Sequence, residues 1–570
     1  MTSLEKSKLW LENPNVPEDL KEEIRNASED QIEDMFYRTL EFGTGGLRGI
    51  LGAGSNRMNI FTVRKATLGF GLYIIKTFGD EGKRRGVVLS HDNRHNSRLF
   101  VEDSSKLLNE LGINTYIFDE LRPTPELSFA VREMHACAGI MVTASHNPKE
   151  YNGYKVYDEE GCQLIPSKAD ILLDIINNLG DELNLQYERA EVKGKEVVLD
   201  SSIDDKFIEN VKSIALNKDE KKVIKIVFTP QHGTSSKIGQ RLLKELGYEM
   251  YPVVEQCTND PDFSETLSPN PENKEAYVKA IELAKKVNAD LILTTDPDAD
   301  RVGVGFLNSK GEYELHCGNQ TGALLIDYVL SQRKKLGLLG EHGVICDTIV
   351  TSLLGEKIAH SYGVESRSFL TGFKFIGDAI YNMEHENPRV HTFEFGYEES
   401  YGYLIKAFAR DKDSLQALLM ISEMTNHYAL EGKTLDVVLD DLYKKYGYHI
   451  TKLFNIYFPG QSGLQDMNNI MSYLRDNHFE EVAGVKVVAC EDYKVQKRYE
   501  GDKELALDHL PKSNVLKYYL EDGSWFAIRP SGTEPKCKFY YEAVDSVKEN
   551  AASKPDMFQA YVLKTLKLDK

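Results

Sequence analysis

Short apolar runs that stop abruptly at polar residues recur along the chain, between segments with helical periodicity. Residues 140–142 lead into "TASHNP", 290–295 into "DPDADR" and 391–395 into "GYEES". A β-branched run bounded by turn-forming residues predicts a buried strand, and open α/β sheets bind ligands at the carboxyl ends of such strands. These polar stretches are therefore candidate sites.

The alternation of strands and helices restarts twice, so the pattern predicts three α/β units with a similar element order and then a β-rich α+β module. A Ser-x-x-Asp start predicts a capped helix from Ser167, with Ile171, Leu172 and Ile176 on its apolar face. The other main predicted helices cover 62–78, 236–247, 274–287, 319–335, 373–384 and 413–430, and the main strands cover 86–94, 114–119, 223–230, 290–295, 343–350 and 391–396. The predicted domains are 1–205, 206–318, 319–444 and 445–570.

Length and composition narrow the class of protein. With 570 residues, 41% hydrophobic and 28% charged, the chain is too long for one core and reads as an ordinary globular protein. No apolar stretch is long enough to span a membrane, and the N-terminal stretch lacks the pattern of a secretory signal, so we expect a cytoplasmic protein without membrane partners. Seven scattered cysteines fit neither a disulfide framework nor a zinc site, and a net charge of -20 argues against nucleic acid as a partner.

The first polar stretch offers a hydroxyl at a strand end. Ser145 lies beside His146 and Asn147, Pro148 fixes the turn, and Lys155 follows ten positions later. The G-x-S-x-G pattern of a hydrolase nucleophile is absent. Because Ser, Asn and Pro dominate turns, a purely structural serine is an equal alternative on these residues alone.

The second stretch is acidic. Asp296, Asp298 and Asp300 follow a buried strand, and three carboxylates at this spacing repel one another unless a divalent cation such as Mg²⁺ or Ca²⁺ neutralises them. An EF-hand is excluded because Arg301 occupies the sixth position, where that loop needs glycine. A solvated acidic turn remains the alternative.

Two further stretches suit a sugar and a phosphate. Glu398 and Ser400 offer a carboxylate and a hydroxyl to vicinal sugar hydroxyls, although paired glutamates on loops are more often solvated surface. In "RPSGTEPK" a guanidinium, hydroxyls and exposed backbone N–H groups form a compact phosphate cradle that lacks the P-loop pattern. The cradle consists of Arg529, Ser531, Gly532, Thr533 and Lys536. The stretches "GTGGLRG" with Arg48 and "HDNRHNSR" with Arg94 add cations.

In this order, "GTGGLRG", "TASHNP", "DPDADR", "GYEES" and "RPSGTEPK" resemble the α-D-phosphohexomutases, the phosphoglucomutase and phosphomannomutase superfamily. The resemblance spans nearly the whole chain. It implies three similar mixed α/β domains followed by a C-terminal α+β domain, each giving one loop to a central cleft. It also implies a mutase that carries a phosphoryl group on serine and forms a sugar bisphosphate.

The resemblance assigns roles residue by residue. Ser145 would carry the phosphoryl group, Lys155 would act as general acid/base, and Arg48 and His146 would assist. Mg²⁺ would bind Asp296, Asp298, Asp300 and a phosphoserine oxygen, and glucose 1,6-bisphosphate would be the activator. The sugar would contact Arg301, Thr371, Gly372, Glu398, Ser400 and Lys412, and the distal phosphate would contact Arg529, Ser531, Gly532 and Thr533.

The expected reaction interconverts glucose 1-phosphate and glucose 6-phosphate, with mannose and pentose phosphates as alternatives. Where some members carry a histidine after Glu-x-Ser, this chain has Tyr401, so the resemblance leaves the second proton-transfer group open. Two other classes are weighed. A metal-dependent phosphatase would not need the phosphate cradle or a phosphorylatable Ser145, and a non-catalytic sugar-phosphate sensor would usually have lost the nucleophile or the metal ligands. The oligomeric state is not predicted.

Overall fold

A computed structural model describes residues 1–43, 45–458, 463–531 and 536–568. Within these residues four sheets carry the fold, and each lies inside one of the four predicted domain ranges. The boundaries between those ranges remain a prediction. In the described part of the chain, no helix combines the length and apolarity that crossing a membrane requires.

The first sheet has the strand order β1-β5-β4-β2-β3-β6 and is preceded by three short helices. Its elements are α1 (Ser3–Glu12), α2 (Glu18–Asn26), α3 (Glu29–Phe36), β1 (Gly46–Ile50), α4 (Ile60–Arg85), β2 (Val87–His91), α5 (Ser97–Glu110), β3 (Thr115–Phe118), α6 (Thr124–Glu133), β4 (Ala138–Val142), β5 (Tyr151–Tyr157), α7 (Pro166–Asn177) and β6 (Glu196–Leu199).

The second sheet has the order β11-β10-β9-β7-β8. Its elements are α8 (Ser202–Lys212), β7 (Lys225–Thr229), α9 (Ser235–Glu245), β8 (Glu249–Pro252), α10 (Val278–Val287), β9 (Leu291–Thr295), β10 (Val302–Leu307) and β11 (Tyr313–His316). The third sheet has the order β13-β12-β14-β15. Its elements are α11 (Gly318–Leu336), β12 (Gly343–Thr348), α12 (Leu353–Ser361), β13 (Glu365–Phe369), α13 (Phe373–Glu384), β14 (Thr392–Glu398), β15 (Gly402–Leu404), α14 (Ser414–Leu430) and α15 (Leu435–Tyr446).

The fourth sheet is predominantly antiparallel and follows β16-β23-β22-β21-β18-β19-β20, with β17 paired to β18. Its elements are β16 (Tyr448–Tyr457), α16 (Gly463–Asp476), β17 (Glu481–Val482), β18 (Val485–Asp492), β19 (Lys497–Glu500), β20 (Lys503–Ala506), β21 (Leu516–Leu520), β22 (Trp525–Pro530), β23 (Lys536–Asp545) and α17 (Lys548–Thr565). Helix α17 packs on β23 and β16.

The first three sheets share one arrangement. In each, three parallel strands are followed by an antiparallel one: β3-β2-β4 with β5, β8-β7-β9 with β10, and β13-β12-β14 with β15. The connection between the last parallel strand and its antiparallel neighbour carries Ser145 in the first sheet, Asp296–Asp300 in the second and Ser400 in the third. The predicted similarity of element order is thus confirmed, and it places three polar loops equivalently.

The predicted start of α7 is wrong. The helix begins at Pro166, its N-cap is Ile165, and no side chain caps it. Proline suits the first helical position because its fixed φ matches the helix and it lacks an N–H that would need a partner. Leu172 and Ile176 are buried as predicted, whereas Ile171 is 43% exposed, because it lies at the border of the apolar face.

Candidate active site

Residues from the regions of all four sheets line one cleft of about 600 Å³, and those of the fourth sheet lie on its strands β16, β22 and β23. The structure brings most of the predicted site residues together there: Arg48, Ser145, His146, Lys155, Asp300, Arg301, Thr371, Gly372, Glu398, Ser400, Lys412 and Arg529. Asp296 and Asp298 are fully buried and contact Ser145 and Lys155. Ser531 is described but is not among the residues that line the cleft, while Gly532 and Thr533 lie outside the described residues.

The Ser145 hydroxyl is held next to a carboxylate. Its Oγ donates to Asp296 Oδ2 at 2.7 Å and lies 3.2 Å from His146 Nδ1. Ser145 has a φ of 51°, in the left-handed region, and its backbone N–H donates to Thr143 Oγ1 at 2.8 Å. Non-glycine residues adopt such a φ rarely, so this loop is held by its surroundings in the conformation that presents the hydroxyl.

Arg94 supplies much of that support. Its guanidinium donates to the carbonyl oxygens of Ser145, Asn147, Pro148 and Tyr151 at 2.5 to 3.0 Å. The guanidinium also pairs with Asp92 at 3.0 Å, and both side chains are fully buried. The sequence identified Arg94 only as a further cation, without a role. In the structure its hydrogen bonds go to the loop backbone, and it is not among the described residues that line the cleft.

Asp296, Asp298 and Asp300 form a cluster in which one oxygen from each lies within 4.8 Å of the others. Asp298 Oδ1 and Asp300 Oδ1 are buried without a hydrogen-bond partner. Buried carboxylate oxygens without partners are costly, and oxygens from three carboxylates around one point are the ligands that hard divalent cations prefer. The cluster therefore fits a divalent cation on its own geometry.

Two lysines neutralise part of this charge. Lys155 Nζ lies 2.8 Å from Asp298 Oδ2 and 3.5 Å from Asp300 Oδ2, and Lys412 Nζ lies 3.1 Å from Asp300 Oδ2. Burial alone would lower the pKa of Lys155, but the carboxylates outweigh it and raise that pKa. Lys155 is therefore cationic at neutral pH and holds a proton within the cleft.

Asp296 and Asp300 differ in their affinity for a proton. Burial, with the charges of Asp298 and Asp300, raises the pKa of Asp296 well above its ordinary value. Burial also opposes ionisation of Asp300, but Lys412 and Lys155 outweigh it and lower the pKa of that carboxyl. The cluster thus accumulates negative charge on the side that the lysines face.

His146 is not a cation at this site. Burial, followed by the charges of Arg301 and Arg48, lowers the pKa of His146 well below its ordinary value. The neutral ring is a hydrogen-bond partner of Ser145, and Arg48 donates to Asn147 Oδ1 at 3.1 Å. His146 directly, and Arg48 through Asn147, thus contact the Ser145 loop.

The loop between β14 and β15 faces the same space. Glu398 Oε1 accepts a hydrogen bond from the Gly372 N–H at 2.8 Å, and its Oε2 lies 4.0 Å from Lys412 Nζ. Gly372 has a φ of 116°, which favours glycine. A Cβ at Gly402 would lie 2.0 Å from Lys412 Cδ, so glycine after Tyr401 leaves the lysine room to reach the cleft.

The sequence interpretation assigned no role to several lining residues, among them Lys538 and Glu399. Lys538 on β23 lies opposite Arg529 on β22 in the strand register, and both residues line the cleft. The alternation of polar and apolar residues after "RPSGTEP" could have identified Lys538, because it puts this lysine on the face opposite the core residues Cys537 and Phe539. Glu399 also lines the cleft and accepts from Thr348 Oγ1 at 3.1 Å; burial and then the charge of Glu398 raise its pKa to about 7.

Four family models match the chain in sequence. They describe domains I, II and III, all alpha/beta/alpha, and the C-terminal domain of phosphoglucomutase/phosphomannomutase, and they match residues 39–182, 205–308, 317–446 and 476–560. Together they cover well over half of the chain.

Relatives and solved structures agree with these models. Phosphoglucomutases of Staphylococcus aureus (strain bovine RF122 / ET3-1) and Staphylococcus epidermidis are 37% identical over 535 and 525 residues, covering 93% and 91% of this chain and 94% of each relative. A phosphoglucomutase/phosphomannomutase family protein of Burkholderia thailandensis has a TM-score of 0.67 at 19% identity, covering 93% of this chain and 98% of its own. The Paramecium phosphoprotein parafusin, described as a phosphoglucomutase in open form, has a TM-score of 0.65 at 16% identity, covering 93% and 95%. Both structures support the fold, and the sequence matches establish that the chain belongs to the phosphoglucomutase/phosphomannomutase family.

Proposed function

We propose that the protein is a phosphoglucomutase that interconverts glucose 1-phosphate and glucose 6-phosphate through a phosphoserine and a glucose 1,6-bisphosphate intermediate. The full-length relatives named phosphoglucomutase support this assignment. One observation carries it in the structure: the Ser145 hydroxyl donates at 2.7 Å to a carboxylate cluster that fits a divalent cation, at a cleft lined by cations. The proposed domains are 1–205, 206–318, 319–444 and 445–570.

Ser145 is the proposed phosphoryl carrier. The phosphoryl group leaves the serine oxygen for a free hydroxyl of the bound sugar monophosphate, which gives up its proton, and the serine oxygen regains one. The bound bisphosphate then reorients so that its other phosphoryl group faces Ser145. The reverse transfer returns that phosphoryl group to the serine oxygen. Lys155, kept cationic by Asp298 and Asp300, gives and recovers a proton in these steps. Arg48 and His146 position the loop and the transferring group.

Mg²⁺ is the proposed cation, held by Asp296, Asp298, Asp300 and a phosphoserine oxygen. The unpartnered buried oxygens of Asp298 and Asp300 and the all-oxygen ligand set suit it. Bound there, the ion neutralises charge on the phosphoryl oxygens, which is the main demand of phosphoryl transfer. The chain's own contribution is to hold the serine and the carboxylates within hydrogen-bonding distance of each other.

The rest of the cleft would hold the sugar in two orientations. Glu398 and Ser400 would accept equivalent hydroxyls in either one, and the distal phosphate would lie on the fourth-domain loop. Gly372 ties Glu398 to the start of α13, which supports a fixed acceptor. The other proposed sugar contacts are Arg301, Thr371, Gly372 and Lys412, and the proposed phosphate contacts are Arg529, Ser531, Gly532 and Thr533.

Mannose or pentose phosphates are alternatives within the class, and a non-catalytic sensor is the alternative outside it. The intact serine, carboxylates and lysines favour catalysis over a sensor. We also propose that small sugar phosphates are the partners, that nucleic acid and membranes are not, and that the protein works in the cytoplasm.

The test compares rates for glucose, mannose and ribose 1-phosphates with Mg²⁺, each with and without catalytic glucose 1,6-bisphosphate. We expect glucose 1-phosphate to be preferred and the bisphosphate to activate. Preference for another sugar would replace the substrate, and no isomerisation of any of them would contradict a mutase.

A further inference from the structure

Glu272 lines the catalytic cleft, and the proposed reaction gives it no role. It lies between β8 and α10 on a stretch that is held by its surroundings. Its own N–H donates to Asn270 Oδ1 at 3.0 Å, and the buried Tyr277 donates to the Pro271 carbonyl at 2.9 Å. A Cβ at Gly303 on β10 would lie 1.9 Å from the Tyr277 hydroxyl, so glycine leaves the tyrosine room. The carboxylate is therefore presented by a supported loop.

Five charged side chains that line the cleft form one row in which the charges alternate. The first contact joins Glu272 Oε1 and Arg301 Nη1 at 2.5 Å, and the next joins Arg301 Nε and Asp300 Oδ1 at 3.8 Å. From Asp300 Oδ2 the row continues to Lys412 Nζ at 3.1 Å and ends at Glu398 Oε2, 4.0 Å from that lysine. Asp300, from the aspartate cluster, is thus the middle member, and a glutamate ends the row on each side.

The two glutamates at the ends of the row have the same arrangement of oxygens. In each, Oε1 already accepts a hydrogen bond, from Arg301 in Glu272 and from the Gly372 N–H in Glu398. Within the described part of the chain, neither Oε2 accepts a hydrogen bond, and neither belongs to the fully buried atoms that lack one. Because both residues line the cleft, these two oxygens are accessible to a ligand.

The electrostatics also place the Glu272 carboxylate among the cations of the cleft. Burial lowers the pKa of Lys538, which lines the cleft from β23, and the charge of Glu272 is the largest that opposes this fall. Burial would likewise lower the pKa of Arg301, but Glu272, followed by Asp300, outweighs it and raises that pKa. The charge of Glu272 is thus felt by a cation from the second sheet region and by one from the fourth sheet.

A row of alternating acceptors and donors matches the chemistry of a hexose. Each sugar hydroxyl donates one hydrogen bond and accepts others, so successive hydroxyls suit a wall on which carboxylates and cations alternate. Carboxylates form the stronger, charge-assisted bonds, and a site built around a hydroxyl rejects an analogue that lacks it. The row has the same order of acceptors and donors from either end, which suits a sugar that reacts in two orientations.

We propose that Glu272 is a specificity-determining residue whose Oε2 accepts a hydrogen bond from a ring hydroxyl of the bound sugar phosphate, as the second-domain counterpart of Glu398. The inference rests on the proposed function, because it needs a sugar phosphate in this cleft. With Asp300 between them in the row, the two glutamates bind different hydroxyls in one orientation and exchange them when the sugar reorients. Sugars that differ in the configuration of these hydroxyls are thereby distinguished.

Isothermal titration with deoxygenated sugars tests the contact. Glucose 1-phosphate and its 2-deoxy, 3-deoxy and 4-deoxy analogues are titrated, with Mg²⁺ present, into Ser145→Ala and into the same protein carrying Glu272→Ala. The corresponding 6-phosphates report the other orientation. For at least one hydroxyl, we expect Glu272→Ala to lower the preference for the glucose phosphate over its deoxy analogue about tenfold or more, because a hydrogen bond to a charged group is lost.

Two further variants separate this contact from a general disturbance of the loop. Glu272→Gln keeps the size of the side chain and a neutral acceptor for Arg301, so it should lose only part of the preference. Glu275→Ala, at an exposed glutamate on the same stretch, is the matched control and should keep the whole preference.

The ratios of dissociation constants decide the outcome. If Glu272→Ala leaves every affinity unchanged, or changes all of them by one common factor, the proposal is overturned, since a side chain that only positions Arg301 affects every sugar phosphate alike. A changed preference in a protein whose wild-type form isomerises no sugar phosphate would refute the mutase and keep the hydroxyl contact. Binding of none of these sugar phosphates would contradict both.

Discussion

The β4–β5 and β9–β10 loops occupy the same place in two sheets of the same strand order, yet they are stabilised in different ways. The first presents a single hydroxyl and is held from behind by Arg94, which binds four backbone carbonyls. The second presents three carboxylates, and Lys155 and Lys412, which line the cleft, form ion pairs with two of them. Topology thus decides where a loop lies, while the side chains around it decide whether it offers a nucleophile or a cation site.

Removing the hydroxyl should have the largest effect. We expect Ser145→Ala to lower mutase turnover by at least about 10⁴-fold, since no other group in the loop replaces a covalent carrier, while sugar-phosphate binding persists. Steady-state rates and binding titrations check this. Ser422→Ala, at a buried serine that donates only within α14, is the control and should keep its rate. Near-normal turnover in Ser145→Ala would refute the carrier role.

A change in the second loop, which carries the aspartate cluster, should have the next largest effect on turnover. Asp298→Asn removes a carboxylate from the cluster and should lower turnover about 10²- to 10³-fold, as loss of charge stabilisation in a transition state does, and weaken Mg²⁺ binding. Rates and calorimetry across Mg²⁺ concentrations measure both. The control Asp119→Asn, at a half-exposed carboxylate outside the cleft, should change neither turnover nor Mg²⁺ binding. Unchanged Mg²⁺ dependence in Asp298→Asn would show that the cluster is not the cation site.

The buried pair of Arg94 with Asp92 sharpens the comparison, because breaking it should affect both the position of the Ser145 loop and the stability of the fold. Arg94→Met frees the Ser145 loop and leaves Asp92 buried without a cation, so we expect kcat to fall about 10²-fold and the free energy of unfolding to fall by about 3–5 kcal/mol. Urea unfolding and kinetics measure the two losses. The exposed pair of Arg98 with Glu102 provides the control, Arg98→Met.

A double variant separates these effects. Adding Asp92→Asn to Arg94→Met removes the uncompensated charge, so part of the stability should return while kcat stays low. Recovery of both would mean that Arg94 acts on stability alone.

The smallest effect is expected in the third loop, where Glu399 should make the stability of the fold depend on pH. The pKa of Glu399 is raised from 4.5 to about 7 by burial and then by Glu398, so the folded state binds the proton more tightly than the unfolded state between these values. Wild-type stability should therefore fall, relative to Glu399→Gln, by about 1 kcal/mol or more as pH rises from 4.5 through 7, and should level off about one pH unit above the folded-state pKa. Urea unfolding at several pH values measures this. A difference independent of pH would rule out the shift.

The sequence was informative where period and turn chemistry act locally. It predicted α13 at 373–384 with its observed bounds, and it identified strand ends as the origin of Ser145, Asp298 and Glu398. Ser145 and Asp298 follow apolar runs that fold as buried strands, and Glu398 ends β14, so their meeting in one site follows from the shared strand order.

What the sequence could not give are contacts between distant segments. Arg94 reaches the Ser145 loop 51 residues away, and whether its charge faces the cleft or the backbone is decided by packing rather than by spacing. The start of α7 was misplaced because Ser167 follows a proline that already serves as the first helical residue. The neutral state of His146 likewise depends on burial and on the charges of Arg301 and Arg48, which come from two other segments of the chain.

The most direct test of the central claim is to follow the phosphoryl group on the protein. Incubation with ³²P-labelled glucose 1,6-bisphosphate, digestion and mass spectrometry would locate it. We predict one phosphoryl group on the peptide that contains Ser145, lost to the bisphosphate when glucose 6-phosphate is added. A protein that turns over glucose 1-phosphate without labelling, or with the label on another residue, would contradict the phosphoserine account.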